Sequence, residues 1–287
     1  MSALLTVTSA NSRRIRAFRA SMIDSLPRVP NNKETLAALW DAPVREVILD
    51  FLTWRQRFVP ARPRMVRFWS GGVTEQSLTA LRSEILPLLK KAAAGGDLTP
   101  HLSKLVNTKG LVLSGANPDD QRKHLDGVLI RNGLHHFHIG TEARDGTVAR
   151  SDRLVFAHVL KDEFRVVSIS DHDAFEFGTD EHERFFSICQ NYISKDLKAG
   201  EAFMVNPVMS SGHDMQLTLF SRQCEAEIAS RDPTLDDPAA IDRLYDTSPL
   251  AARPKKVRLA WHFEDLKFGL LEKQTRKFFC IYPFFDR

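Results

Sequence analysis

The sequence predicts an α+β fold: a helical N-terminal half, to about residue 130, followed by an antiparallel β-sheet with a packed helix. Between residues 34 and 94, apolar residues recur at three- and four-residue spacing, which is typical of amphipathic helices. Between residues 134 and 170, apolar residues alternate with polar ones or form short β-branched runs, which predicts strands. Because the two patterns occupy separate parts of the chain, we expect the helices and the sheet to be segregated.

The helices of the N-terminal half are predicted from their start and stop residues. Residues 1–32 are expected to form an arm or a short helix, and a longer helical region begins at Glu34. Asp41 and Pro43 predict a fresh helix start within that region, with Asp41 as the cap. Further helices are predicted at residues 73–94, which Gly95 and Gly96 end, at residues 99–106, and at residues 118–129 with Asn117 as N-cap.

A three-strand meander is predicted next, with strands at residues 134–139, 153–160 and 164–170 and a polar turn at residues 161–163. Period-two alternation places His136 and His138 together on one face of the first strand and Phe137 on the other. The third strand leads directly into His172. A strand that ends in titratable groups is a common place for a site, because the sheet fixes positions while the exposed end admits a ligand.

The rest of the chain is predicted to be mixed. A helix at residues 180–197 packs on the sheet, and residues 201–208 and 216–220 are short strand candidates. A loop with one short helix follows, and strands at residues 257–263, 267–271 and 276–282 end the chain, the last two as a hairpin. We therefore expect a basic helical region at residues 1–72, an α+β core at residues 73–200 and a mostly β extension at residues 201–287.

Positive charge is concentrated near the N-terminus. Residues 1–70 hold twelve Lys/Arg against five Asp/Glu, a net charge of +7, which leaves −3 of the total +4 for the rest of the chain. Such asymmetry favours a polyanionic partner, nucleic acid first, although arginines also solvate helix surfaces without a function. Arg62, Arg64 and Arg67, which lie next to Phe68, are expected to bind RNA phosphates.

Composition also limits the location and the chemistry. Cys189, Cys224 and Cys280 are odd in number and widely spaced, so neither a disulfide framework nor a cysteine zinc site is indicated. No apolar run approaches the roughly 20 residues that cross a bilayer, and no signal-peptide pattern is present. We expect a cytoplasmic protein with no membrane partner. Because no nucleotide-binding or acyl-transfer motif occurs, we also expect no cofactor.

The stretch from residue 150 to residue 175 resembles the second half of RelE/YoeB-type toxins, small ribonucleases that cleave messenger RNA. Arg153 opens an apolar strand (RLVFA), a polar turn follows at residues 161–163, Arg165 precedes a β-branched run, and His172 comes just after it. The resemblance implies a bacterial toxin of a toxin-antitoxin pair, with RNA as substrate and an antitoxin protein as partner. The helices at residues 73–94 and 118–129 would then correspond to the family's helical hairpin.

The chain also departs from that family. RelE/YoeB-type toxins are far shorter, usually follow the histidine with a tyrosine, and carry a glutamate or a lysine as the base. Here Asp173 follows the histidine, and Glu142 is the only well-placed acid. The HHFH run with the following RLVFA is also similar to a group of bacterial proteins of unknown activity.

Three functional hypotheses remain open. The first is a metal-independent endoribonuclease in which His172 is an acid or base, His136 or His138 is its partner, Arg153 clamps the phosphate and Glu142 is a further candidate base. The second is a metal-dependent hydrolase that uses the HxH pair, although no established metal signature is present. The third is a non-enzymatic protein that binds nucleic acid or another protein.

The first hypothesis makes a geometric prediction. Arg153 starts one strand and His172 follows the adjacent antiparallel strand, so a tight turn between them brings the two ends together. A shift of one residue in register would, however, point Arg153 to the opposite face of the sheet.

Overall fold

The computed structural model describes residues 12–113, 124–142, 148–202, 205–248 and 252–284, apart from the side chains of residues 141 and 142. The helices lie at Arg13–Ser25 (α1), Lys33–Asp41 (α2), Val44–Arg55 (α3), Glu75–Ala80 (α4), Arg82–Ala94 (α5), Leu105–Thr108 (α6), Gly127–Asn132 (α7), Asp180–Ser194 (α8), Met215–Arg231 (α9) and Pro238–Asp246 (α10). The strands lie at Arg28–Val29 (β1), Met65–Phe68 (β2), Leu111–Val112 (β3), Leu134–Glu142 (β4), Val148–Val159 (β5), Glu163–Asp171 (β6), Leu259–Glu264 (β7), Lys267–Glu272 (β8) and Phe278–Pro283 (β9). No helix within these ranges is both long and apolar enough to span a membrane.

The chain divides into two compact units, each built from separate stretches of sequence. Among the described residues, the first unit holds 12–56, 108–113 and 215–284, and the second holds 57–107 and 124–214. The first contains the antiparallel sheet β7-β8-β9 and the parallel pair β1-β3. The second contains a four-stranded sheet in the order β2-β6-β5-β4. These two units differ from the three consecutive regions expected from the sequence, at residues 1–72, 73–200 and 201–287.

The predicted fold class is confirmed. The strands β4, β5 and β6 form the expected antiparallel meander, and β2 extends it by pairing in parallel with β6. One face of the sheet packs on helix α5 and the chain around it, through a core that includes Phe137, Val155 and Phe164. The other face packs on α8 through Leu134, Phe156 and Phe185. This arrangement confirms the alternation predicted for the first strand, since Phe137 lies on the face opposite Leu134.

Three local predictions were wrong. Residues 216–220 belong to the helix α9, whose buried residues Leu217, Phe220, Ser221, Cys224 and Ile228 follow helical spacing over a window longer than the five residues that suggested a strand. The described part of residues 201–208 forms only an isolated bridge from Val208 to Asp214. The chain beyond residue 201 is therefore not mostly β.

Other helices begin or end at residues different from those predicted, and local backbone geometry explains the differences. The helix predicted at residues 73–94 is two helices, because Leu81 leaves helical geometry at ψ 14°. Asp41 does not cap the next helix, which begins after Pro43 without a side-chain cap. The helix predicted at residues 118–129 lies largely outside the described residues, and α7 starts later, with Asp126 as its N-cap.

A bulge at Gly140 shapes the end of the sheet that carries the histidines. The pairing of β4 with β5 shifts register between His138 and Gly140, so that Ile139 faces three residues of β5. Gly140 has a φ of 147°, and a Cβ there would lie 1.8 Å from the carbonyl oxygen of Ala149. The bulge therefore requires glycine at this position.

We expect Gly140→Ala to lower the free energy of unfolding by about 2 to 4 kcal/mol, since both the backbone angle and the contact with Ala149 oppose a side chain. Gly133→Ala is the matched control. Gly133 also has a positive φ, of 69°, but a Cβ there meets nothing within 4 Å, so the cost should be only about 1 kcal/mol. Urea unfolding of both variants measures the difference, and equal losses would contradict a steric role for the Gly140 bulge.

Candidate functional site

A row of three histidines runs from the middle of β4 to the turn that follows β6. His136 and His138 are on β4 with ring centroids 6.3 Å apart, and the His172 ring centroid is 5.5 Å from that of His138. His172 occupies the first position of a 3₁₀ turn, residues 172–175, that follows β6. The sheet thus brings together three imidazoles that are separated by up to 36 residues in sequence.

His136 is held by a carboxylate. Its Nδ1 lies 3.3 Å from Oδ2 of Asp126, while Oδ1 of the same residue accepts a hydrogen bond of 3.0 Å from the backbone N–H of Leu129 at the start of α7. Burial raises the pKa of Asp126, but attraction to His136 and these hydrogen bonds outweigh burial and lower that pKa to about 2. Asp126 is therefore ionised at neutral pH, and its carboxylate lies close enough to His136 to stabilise positive charge on that ring.

His138 is the buried member of the row. It is 8% exposed, and within the described part of the chain its Nδ1 is buried without a hydrogen-bond partner. Burial and then the positive charge of Arg150 lower the pKa of His138 to about 3. His138 is thus neutral at neutral pH and cannot serve as a proton donor that starts as imidazolium.

The low pKa of His138 predicts a dependence of stability on pH. The ordinary pKa of histidine is 6.5, and the pKa of His138 in the folded chain is about 3. Between these two pH values, His138 binds a proton in the unfolded chain but not in the folded chain. The free energy of unfolding should therefore fall as the pH decreases through this window, by at most about 1.4 kcal/mol per pH unit from this residue. Above pH 6.5 both states are neutral at His138 and this contribution vanishes.

The variant His138→Gln isolates that contribution, because it lacks the titrating ring. Urea unfolding at pH 7 and pH 5 should show wild type losing about 2 kcal/mol more than the variant over that interval. If the difference in free energy of unfolding between the two proteins stays constant with pH, then His138 takes up its proton equally well in the folded and the unfolded chain.

His172 and His101 each have one ring nitrogen fixed by a backbone carbonyl. Nδ1 of His172 lies 3.3 Å from the carbonyl oxygen of Asp152, and Nδ1 of the buried His101 lies 2.9 Å from that of His138. Because a carbonyl only accepts, Nδ1 is the donor in both contacts. His172 is exposed, so its Nε2 can exchange protons with a ligand, whereas His101 supports the strand that carries His138.

Arg150 acts on the histidines through its charge, whereas Arg153 lies on the other face of the sheet. Arg150 donates from Nη2 to the carbonyl of Leu102 at 2.6 Å, which uses one of its five N–H donors, and its charge acts on His138. Arg153 pairs with Asp171 in the register of β5 and β6, and the two side chains lie 3.2 Å apart. Alternation from Val155 places Arg153 on the sheet face opposite His136 and His138. The ends of the strands meet as predicted, but Arg153 does not join the histidines.

An exposed aromatic ring borders the site, and carboxylates follow it in sequence. Phe175 is 43% exposed, and its ring centroid lies 5.3 Å from that of His136. The segment that follows the 3₁₀ turn carries the exposed carboxylates of Glu176, Asp180 and Glu183. These carboxylates oppose the approach of a polyanion along that segment.

The arginines expected to bind RNA lie elsewhere and are not equivalent. Arg64 is 6% exposed, and it donates to the carbonyls of Leu160, Pro60 and Arg62, so it is a structural residue and not a phosphate contact. Arg67 is exposed on β2, and Arg62 is partly exposed. Strand β2 pairs with the beginning of β6, whereas His172 follows its end. Arg67 therefore lies about 20 Å from the histidine row, at 3.3 Å per strand residue.

The donor set for a metal is incomplete among the described residues, where no three His, Cys, Asp or Glu side chains are grouped so as to hold an ion. Glu142 lies at the end of β4, but its side chain is outside the described part of the chain. The HxH pair thus has no third ligand within that part.

Sequence reasoning missed Asp126, Arg150 and His101 as parts of the site. Nothing in the local sequence around Asp126 or His101 distinguishes a site residue from a helix cap or a core histidine. One usable signal was that Asp126 is a possible helix cap only ten positions before His136 and twelve before His138.

Comparisons with protein families, with curated proteins and with solved structures gave no match to this chain. The geometry of the histidine row is therefore the basis on which its function can be argued.

Proposed function

We propose that this chain is an endoribonuclease that cleaves RNA by metal-independent acid-base chemistry at His136 and His172, with His138 as a neutral hydrogen-bond donor. The observation that carries the proposal is the convergence of three imidazoles, of which His172 is exposed and His136 lies beside an ionised carboxylate. RNA supplies its own nucleophile, so the protein needs only a base, an acid and a group that stabilises charge on the phosphate.

The environments assign different roles to the three rings. His136 is the base that takes the proton of the 2′-OH, because Asp126 stabilises the imidazolium that forms. The 2′-oxygen then forms a bond to phosphorus, the bond from phosphorus to the 5′-oxygen breaks, and His172 gives its proton to that oxygen. His138 is neutral and buried, and it donates a hydrogen bond to the phosphate.

Arg150 takes the role that the sequence analysis gave to Arg153. Its contact with Leu102 uses one of five N–H donors, the others have no hydrogen-bond partner within the described ranges, and a guanidinium binds phosphate oxygens in a fixed fork. The resemblance to RelE/YoeB-type toxins, which rests on a meander followed by a histidine, is a second reason for the proposal. That similarity extends the proposal to a cytoplasmic bacterial toxin held in check by an antitoxin.

The test is cleavage of an end-labelled single-stranded RNA by purified protein in EDTA, with the product ends analysed. The proposed chemistry produces a 2′,3′-cyclic phosphate and a 5′-hydroxyl, and it should not respond to the chelator. Activity that vanishes in EDTA and returns with zinc or manganese would favour the metal-dependent hydrolase instead. RNA binding without cleavage would favour a protein that only binds nucleic acid.

A further inference from the structure

Three basic residues stand side by side across the sheet, in register with Leu134 at the start of β4. Arg67 on β2 pairs with Arg165 on β6, and Arg165 pairs with His158 on β5. Residues in register share a face of the sheet, and alternation from Leu134, the partner of His158, assigns these three to the face covered by α8. The sheet thus presents two guanidinium groups and an imidazole on adjacent strands.

Like charges on directly opposite positions destabilise a sheet unless a counter-charge is present. Arg165 has one, because it forms an ion pair with Glu163. Arg67 has none among the described residues, and it is exposed. The row therefore contains one arginine whose charge the described part of the chain leaves uncompensated, beside another that is 28% exposed.

The C-terminal end of α8 adds to the same surface. The Tyr192 hydroxyl lies 2.9 Å from Nδ1 of His158, and the Lys195 ammonium lies 4.4 Å from the Tyr192 ring centroid. Lys195 contacts Asp196 at 3.0 Å, but that carboxylate is 85% exposed, so the pair is weak. Within the described part of the chain, Arg67, Arg165 and Lys195 form ion pairs with two carboxylates, those of Glu163 and Asp196.

We infer that Arg67, Arg165 and Lys195 form a subsite for one phosphodiester of an RNA strand, distant from the bond that is cut. A phosphodiester carries a single negative charge, which matches the one excess cation, and guanidinium forks bind its oxygens. This inference rests on the proposed function, because it takes the histidine row as the cleavage site. With about 20 Å between the two places, a strand stacked at about 3.4 Å per nucleotide needs about six nucleotides to reach both.

The consequence is a substrate-length threshold. RNA shorter than about six nucleotides engages only the histidine row, while longer RNA gains the contacts of the distant subsite. The subsite therefore raises affinity for long RNA without changing the chemical step.

The experiment compares fluorescent single-stranded RNAs of 4 and 16 nucleotides on wild type, Arg67→Gln and Arg165→Gln. Each variant should bind the 16-nucleotide RNA about tenfold more weakly at low salt and bind the 4-nucleotide RNA as wild type does. The slope of log K against log salt should also fall in magnitude by about 0.7 for each lost phosphate contact. Arg82→Gln removes an exposed arginine at the start of α5 and serves as the matched control, with affinity unchanged.

The outcomes separate this inference from the proposed function. A wild type that cleaves RNA, with both variants binding the long RNA normally, overturns the subsite and leaves the ribonuclease proposal intact. A wild type that neither binds nor cleaves RNA overturns both. Equal weakening by Arg82→Gln would also overturn the subsite, since it would show that only net charge matters.

Discussion

Replacing His172 by alanine is expected to lower the rate of RNA cleavage by a factor of about 10² or more, with RNA affinity unchanged. His172 is exposed at the end of β6, and its ring stands 5.5 Å from that of His138, so it is placed to protonate the leaving 5′-oxygen. Single-turnover cleavage with excess protein in EDTA measures the chemical step separately from binding. Because the position is open to solvent, free imidazole should restore part of the rate in the variant.

His262→Ala is the control for this prediction, because His262 lies on β7 in the other unit. It should cleave at the wild-type rate. The double variant His136→Ala, His172→Ala should be little slower than the slower single variant, because residues that act on one reaction do not lose their effects additively. Full cleavage activity in His172→Ala would contradict the role of His172 as the acid. A loss of activity that reflects only weaker RNA binding would contradict it as well.

Much of the fold could be predicted from the sequence, because a helix or strand that buries one face repeats its apolar residues at a characteristic spacing. The face of β4 that carries His136 and His138 followed from alternation alone, since Phe137 and Leu134 had to enter opposite cores. The fold class followed from the separation of helical and strand periodicity. In contrast, the five residues at the start of α9 are too few to distinguish a period of two from 3.6, and the strand predicted there was wrong.

The site could be predicted only in part, because it depends on the register of the strands and on contacts between residues that are distant in sequence. No local sequence pattern predicts that Arg153 pairs with Asp171 or that a bulge at Gly140 shifts the register between β4 and β5. The pairing places Arg153 on the face of the sheet opposite His136 and His138. Arg64 illustrates a second limit. A basic segment looks uniform in sequence, yet three backbone carbonyls fix one of its arginines inside the fold.

The reactivity of His136 also depends on a residue that sequence reasoning did not select. Asp126 caps α7 with one carboxylate oxygen and faces the imidazole with the other, so its two functions can be separated by substitution. Asparagine keeps a good cap, whereas alanine removes both the cap and the charge.

We expect Asp126→Asn to retain nearly the wild-type free energy of unfolding but to lower the cleavage rate by about 10- to 100-fold, because the imidazolium of His136 loses its counter-charge. Asp126→Ala should lose activity to the same extent and also about 1 kcal/mol or more of stability. The pKa of Asp126 lies at about 2, below its ordinary value of 3.8, so the carboxylate stays ionised across any practical assay. Wild type therefore carries this negative charge at the pH of the cleavage assay, and Asp126→Asn does not. Single-turnover cleavage at the wild-type rate by a folded Asp126→Asn variant would show that the carboxylate does not assist His136.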